Sequence, residues 1–246
     1  MTANHFPSLN HTIWLEEHNT AFIYLPKVAC TSWKIFFAKA LGLSLPDNYA
    51  AVHQFHSLPL PYVITMPLER QAAFLNGVDD GTITLTAVLR EPRERILSAY
   101  LDKIKLHGNP RSYFSLQVLP DICKHAGVTP DMRPSFEQFL DWIATSESPH
   151  RHNDHWLPMC TILGLTSPMP PFGSWRFWQM HNLTQAADYF NQLLQTSVPF
   201  PSNESLSHRP SRDSATKLAS MLTPKVEQRM THLYAADLQL YTIAAN

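Results

Sequence analysis

Charge is the scarcest resource in this chain. Only 16% of its 246 residues are Asp, Glu, Lys or Arg, against about a quarter in ordinary soluble domains. The formal net charge is −1 with histidine neutral. No global positive field is available to recruit nucleic acid or an anionic membrane, so an anionic ligand needs a local basic pocket. Cysteine is nearly absent as well. Cys30, Cys123 and Cys160 are too few, and odd in number, for a disulfide framework. The 7 glycines argue against a glycine-rich dinucleotide loop. No run of 18 apolar residues occurs, so no membrane span is expected. The first twenty residues carry neither a basic start nor an apolar signal core, and the chain reads as soluble and cytoplasmic.

What the chain does hold is apolar and aromatic surface. Hydrophobic residues make up 44%, with 13 Phe, 8 Tyr and 6 Trp. That is enough for one large core, and a single domain over residues 1–246 is expected. Ala21–Leu25 is a short apolar run suited to a central strand, and Pro26 stops it. From Ser32 a helical stripe follows, with Trp33, Phe36, Phe37, Ala40 and Leu41 inward and Gly42 placed to end it in the left-handed conformation. Thr82–Leu89 alternates Thr with Ile83, Leu85 and Ala87 as a second strand, and Pro92 opens a second helix. Ser135 and Gln138 form a capping box before Phe136–Ala144. Leu183–Leu194 is helical, and Thr223-Pro224 opens a last helix with Val226, Met230, Leu233, Tyr234 and Tyr241 inward. Repeated strand-loop-helix units predict an α/β fold with a central parallel sheet flanked by helices.

Two motifs carry chemistry. In Pro26-Lys27-Val28-Ala29-Cys30-Thr31-Ser32-Trp33-Lys34, a tight turn leads into a helix N-terminus. Backbone N–H groups and the helix dipole favour an anion there, Lys27 adds a full charge, and Thr31 and Ser32 add hydroxyls. This is a phosphate cradle without the G-x-x-x-x-G-K-[ST] pattern. In Leu89-Arg90-Glu91-Pro92-Arg93-Glu94-Arg95-Ile96-Leu97-Ser98-Ala99-Tyr100, Arg90 leaves the end of a strand, where open α/β sheets bind ligands. Ser98 follows about two helical turns on, roughly 10 Å along the axis. An arginine fork and a hydroxyl can clamp a second phosphate.

These two blocks resemble the donor-binding signatures of carbohydrate sulfotransferases, nearest the chondroitin/dermatan 4-O-sulfotransferase and HNK-1 sulfotransferase group. The resemblance implies a P-loop NTPase-like sulfotransferase fold and 3'-phosphoadenosine 5'-phosphosulfate (PAPS) as sulfuryl donor. It implies that the loop Lys27, Val28, Ala29, Cys30, Thr31 and Ser32 holds the 5'-phosphosulfate, and that Arg90 and Ser98 hold the 3'-phosphate. Asn153-Asp154-His155-Trp156 before Cys160, and Leu233-Tyr234 with Asp237-Leu238, are similar to further family segments. His181 stands where many members carry an acid, and His208-Arg209-Pro210-Ser211 lacks the asparagine of the family pattern. The implied acceptor is a carbohydrate or a glycosylated small molecule, with His155, Trp156 and Arg209 as the candidate contacts.

Sulfuryl transfer is an in-line displacement at sulfur. Lys27 is the residue expected to stabilise charge on the leaving oxygen. No metal is required, because the leaving group is already good. The general base is expected to be a histidine. His53 is the first choice, His56 the second and His155 the third, with Glu91 a weaker carboxylate candidate. His150, His152, His155 and Cys160 fit no standard zinc spacing. Trp33 reads as core rather than as an adenine platform, and Lys34 and Arg95 read as solvated charges by default. Two alternatives stay open: a small-molecule kinase, which would require Mg²⁺, and a non-catalytic nucleotide-binding relative.

Overall fold

In a computed structural model the described residues are 6–47, 49–165, 167, 175–201 and 214–245. The chain divides into two compact units. The first comprises Met1–Arg90, Met159–Ser207 and Leu240–Asn246, and the second Glu91–Pro158 and His208–Gln239.

A four-stranded sheet forms the first unit, in the order β1 (Thr12–Leu15), β2 (Thr20–Ile23), β3 (Thr84–Leu89), β4 (Trp175–Gln179). β2, β3 and β4 run parallel, with Phe22 opposite Thr86 and Ala87 opposite Phe177. β1 is antiparallel to β2. The expected α/β class holds, and the sheet is mixed rather than wholly parallel. The reason is local: Glu16–His18 and Asn19, the latter at φ 44°, turn β1 directly into β2, a connection open only to antiparallel neighbours. Beyond β1, the Trp14 N–H donates to the Pro61 carbonyl at 2.9 Å and Ile13 bridges Tyr62. Segment 60–62 therefore covers the sheet edge.

β2 and β3 are buried on both faces. The buried Thr86 hydroxyl is satisfied by donating to the Ala21 carbonyl at 2.8 Å. On one face Phe22 meets Trp33 and Phe37 of α1 (Cys30–Ala40) and Phe190 further along the chain, with ring centroids 4.8–5.5 Å apart. On the other, Trp14 meets Phe74 of α2 (Leu68–Asp79) edge-on at 5.5 Å. Trp33 has no exposed surface and is a core residue. Gly42 ends α1 at φ 67°, as its position predicts.

The second unit is helical: α3 (Pro92–Tyr100), α4 (Leu119–Ala126), α5 (Phe136–Thr145), then, beyond α6 (Met159–Leu163) and α7 (Leu183–Leu193) of the first unit, α8 (Ser214–Met221) and α9 (Pro224–Leu233). The chain closes with α10 (Ala235–Ile243). The Ser135/Gln138 capping box forms, and Thr223 caps α9 with Pro224 at its first position. The expected single last helix is interrupted at Tyr234, which has left the α region at φ −122°. Its hydroxyl donates to the Trp156 carbonyl at 2.7 Å. The core gathers Ile96, Tyr100, Phe139, Trp142, Trp156 and Met230. No helix among the described residues is long and apolar enough to cross a membrane.

Candidate functional site

The parallel strands β2 and β3 lie side by side, so their C-terminal ends open on the same edge of the sheet. From β2 the chain passes Tyr24, Leu25 and Pro26, turns through Lys27–Ala29 and enters α1 at Cys30. Lys27 and Ala29 sit at φ 68° and 51°. Residues with a Cβ seldom hold this conformation. Two of them within three residues is backbone strain of the kind that persists at ligand clamps. Buried Val28 between them donates its N–H to the Leu25 carbonyl at 3.2 Å.

Ala29 is the N-cap of α1. Its carbonyl accepts the Trp33 N–H at 3.0 Å, but its methyl group offers no oxygen to the first turn. Ser, Thr, Asn or Asp ordinarily fills that role. The opening N–H groups, at Cys30, Thr31 and Ser32, come before the regular i→i−4 ladder of the helix, and the positive end of the helix dipole adds to them. The local chemistry fits an anion of phosphate size. Lys27 is half-buried beside it.

Arg90 follows β3 and is buried, and its Nη1 donates to the Lys27 carbonyl at 3.0 Å. This hydrogen bond brings the two sequence motifs together. The Thr31 hydroxyl lies 3.0 Å from His53 Nε2, so the preferred base candidate stands against the cradle. His53 itself is exposed. His56 is exposed too, three residues on and outside that contact.

Other expected site residues take different places. Ser98 is buried within α3, in the second unit. Glu91 is the N-cap of α3: it accepts the Glu94 N–H at 2.8 Å and pairs with Arg93 at 3.2 Å. Burial holds its carboxyl above the usual range, yet its oxygens are engaged in capping. His155 Nδ1 is 2.8 Å from the side-chain oxygen of Asn153, within its own loop. Trp156 is wholly enclosed, with its indole N–H on the His150 carbonyl at 3.1 Å and its ring edge-on to Phe139 at 5.4 Å. These are the surroundings of a core side chain rather than of an acceptor contact. Arg209 lies outside the described residues.

The two charges read as solvated are buried. Arg95 is 1% exposed and donates to the Leu157 and Asp154 carbonyls at 2.8 and 3.0 Å, which ties down the 154–157 loop. Lys34 is 3% exposed, and its ammonium lies 4.1 Å from the Tyr24 ring centroid and 5.5 Å from that of Tyr62. Sequence pattern could not find this box. Tyr24 follows a strand, Tyr62 belongs to a proline-rich connection, and only the folded chain joins them.

The sequence profile described as "Sulfotransferase family" matches residues 10–242. The chain belongs to the sulfotransferase family. Carbohydrate sulfotransferase 14 of Danio rerio is 29% identical over 160 residues, 63% of this chain and 41% of that protein. Its Homo sapiens counterpart is 28% identical over 163 residues, 61% and 39% of the two chains. Carbohydrate sulfotransferase 11 of Rattus norvegicus is 25% identical over 174 residues, 65% and 46%. The matches span less than half the length of these relatives. No solved structure matches the chain. The matched residues include both the strand-to-helix turn at Lys27–Ala29 and Arg90 after the next strand.

Proposed function

We propose that this chain is a PAPS-dependent sulfotransferase that moves a sulfuryl group to a hydroxyl of a carbohydrate or glycosylated acceptor. One observation carries the reading. The Arg90–Lys27 hydrogen bond joins two anion-binding motifs at the C-terminal ends of adjacent parallel strands, the location where such sheets bind nucleotides. The names of the similar proteins support a carbohydrate acceptor.

In this mechanism the first-turn N–H groups of α1 and the Thr31 and Ser32 hydroxyls hold the 5'-phosphosulfate. Arg90, at the end of β3, takes the 3'-phosphate. The bound donor supplies an activated sulfur already joined to a good leaving group. His53 accepts the proton of the acceptor hydroxyl as the new S–O bond forms. Lys27 stabilises the charge that gathers on the leaving phosphate oxygen as the old bond breaks. Thr31 orients the His53 ring through the 3.0 Å contact.

Thermal shift with the desulfated product 3'-phosphoadenosine 5'-phosphate (PAP), in the absence of Mg²⁺, tests the donor assignment. Stabilisation is expected. A response to Mg-ATP alone would instead indicate a kinase, and no response to either a non-catalytic relative. Lys27→Ala is expected to abolish turnover while retaining most PAP affinity, and wild-type turnover in that variant would refute its role.

A further inference from the structure

One buried pair beside the cradle is left unexplained by the mechanism. Lys34 lies one turn after Cys30 on the same face of α1. A turn is about 5.4 Å, and helical side chains lean toward the N-terminus. A lysine stem covers that distance, which directs its ammonium toward the opening turn that forms the cradle. Cys30 lies near enough to both the Lys34 ammonium and the Tyr62 hydroxyl to bear on them. All three groups therefore share one neighbourhood.

The pair is short of acceptors. Among the described residues no carboxylate pairs with Lys34, whose contacts are two aromatic faces. Tyr62 is 1% exposed, and its hydroxyl has no hydrogen-bond partner among the described residues. Burial raises the phenol's pKa, so the hydroxyl remains a donor. A buried cation and a buried O–H donor, both lacking an anion, are costly unless something supplies one.

We propose that Lys34 and Tyr62 bind the sulfonate oxygens of the donor, as an inner wall of the cradle distinct from the groups that hold its phosphates. The inference rests on the sulfotransferase reading and deepens it. The sulfonate is the one part of the donor that PAP lacks, so the pair discriminates charged donor from spent product. A sulfonate oxygen gives Tyr62 its missing acceptor and Lys34 its missing counter-charge.

The test is calorimetric titration of PAPS and PAP into wild type, Lys34→Met and Tyr62→Phe, with melting of each ligand-free protein. Both variants are expected to lose about tenfold or more in PAPS affinity, the scale of one hydrogen bond to a charged group. PAP affinity is expected to stay within about threefold of wild type. Ligand-free Lys34→Met is expected to melt no lower than wild type, because an apolar side chain replaces a buried unmatched charge. Equal losses for both nucleotides, or no loss for either, would overturn the proposal. If Lys34→Met fails to fold, Tyr62→Phe decides alone, since it removes a single oxygen; a wild-type PAPS-to-PAP ratio in it refutes the pair. Wild-type protein that binds neither nucleotide would remove the donor reading and this inference with it. Normal wild-type binding with unchanged ratios would remove the inference only.

Discussion

Replacing Arg90 tests whether the two motifs form one site. Arg90 is 9% exposed and bonds the Lys27 carbonyl at 3.0 Å. Arg90→Ala removes a hydrogen bond to a charged donor, about 1.5–3 kcal/mol. It also frees a loop whose φ values of 68° and 51° are held against the preference of side-chain-bearing residues. For a chain of this size 1 kcal/mol shifts the melting temperature by about 2–4 °C, so a drop of about 3–12 °C is expected. Nucleotide affinity should fall further than stability does, since the same guanidinium is assigned to the 3'-phosphate. Arg90→Lys separates the two effects. An ammonium can bond the carbonyl or meet a phosphate, but it lacks the planar fork that does both at once. Arg90→Lys should therefore recover much of the melting temperature and little of the PAP affinity. Differential scanning fluorimetry and calorimetry read the two quantities. Wild-type values of both in Arg90→Ala, or wild-type PAP affinity in Arg90→Lys, would refute the bracing argument.

Two further predictions concern the same few residues. Ala29→Gly should raise stability by about 1 kcal/mol in urea denaturation, because glycine adopts a φ of 51° without a Cβ penalty; a loss would show that the Ala29 methyl packs more than it strains. Burial lowers the pKa of Lys34 below 10.5. The unfolded chain then binds the proton more tightly than the folded one between that lowered value and 10.5, so the penalty on wild type fades as pH rises through the interval. The stability advantage of Lys34→Met at neutral pH should narrow towards pH 10, with Cys30 and Tyr62 present in both chains; a constant or widening advantage would contradict a charged buried lysine.

The strand-loop-helix units were legible because their signals are local. A β run closed by Pro26, the stripe of Trp33, Phe36 and Phe37, and Gly42 at the helix end depend only on near neighbours. β1 was missed because Thr12–Leu15 is four residues long and buried at every position, so no alternation marks it. The break at Tyr234 was missed because its residues keep a helical apolar spacing. The errors about charge share one cause. Sequence gives Lys34 and Arg95 the default of solvent, whereas Arg95 is buried against two loop carbonyls and Lys34 against rings contributed by residues ten and twenty-eight positions away. Trp156 is the converse case. A family-like motif suggested a surface role, and the ring fills the core.

Several local rules are broken together in one small region of the first unit. Two side-chain-bearing residues hold positive φ, a helix starts without a side-chain cap, and, among the described residues, a lysine is buried without a carboxylate and a tyrosine hydroxyl without an acceptor. Each costs about 1 kcal/mol or more on its own. Elsewhere such departures are scattered singly, as positive φ at Arg133 and Gln195 and buried indole N–H groups at Trp14 and Trp142, among conforming features such as the capping box at Ser135, the threonine cap at Thr223 and the left-handed glycine at Gly42. Such a cluster is what a binding site produces when its ligand supplies the missing partners. The violations here all call for the same thing, negative charge, since the N–H groups of a helix's first turn, an ammonium and an O–H donor each gain from an anion. A bis-phosphorylated nucleotide carrying a sulfonate satisfies them together, whereas an acceptor sugar, largely neutral, satisfies few. The strain in this region is thus matched to the donor, and acceptor recognition has to be built from other residues.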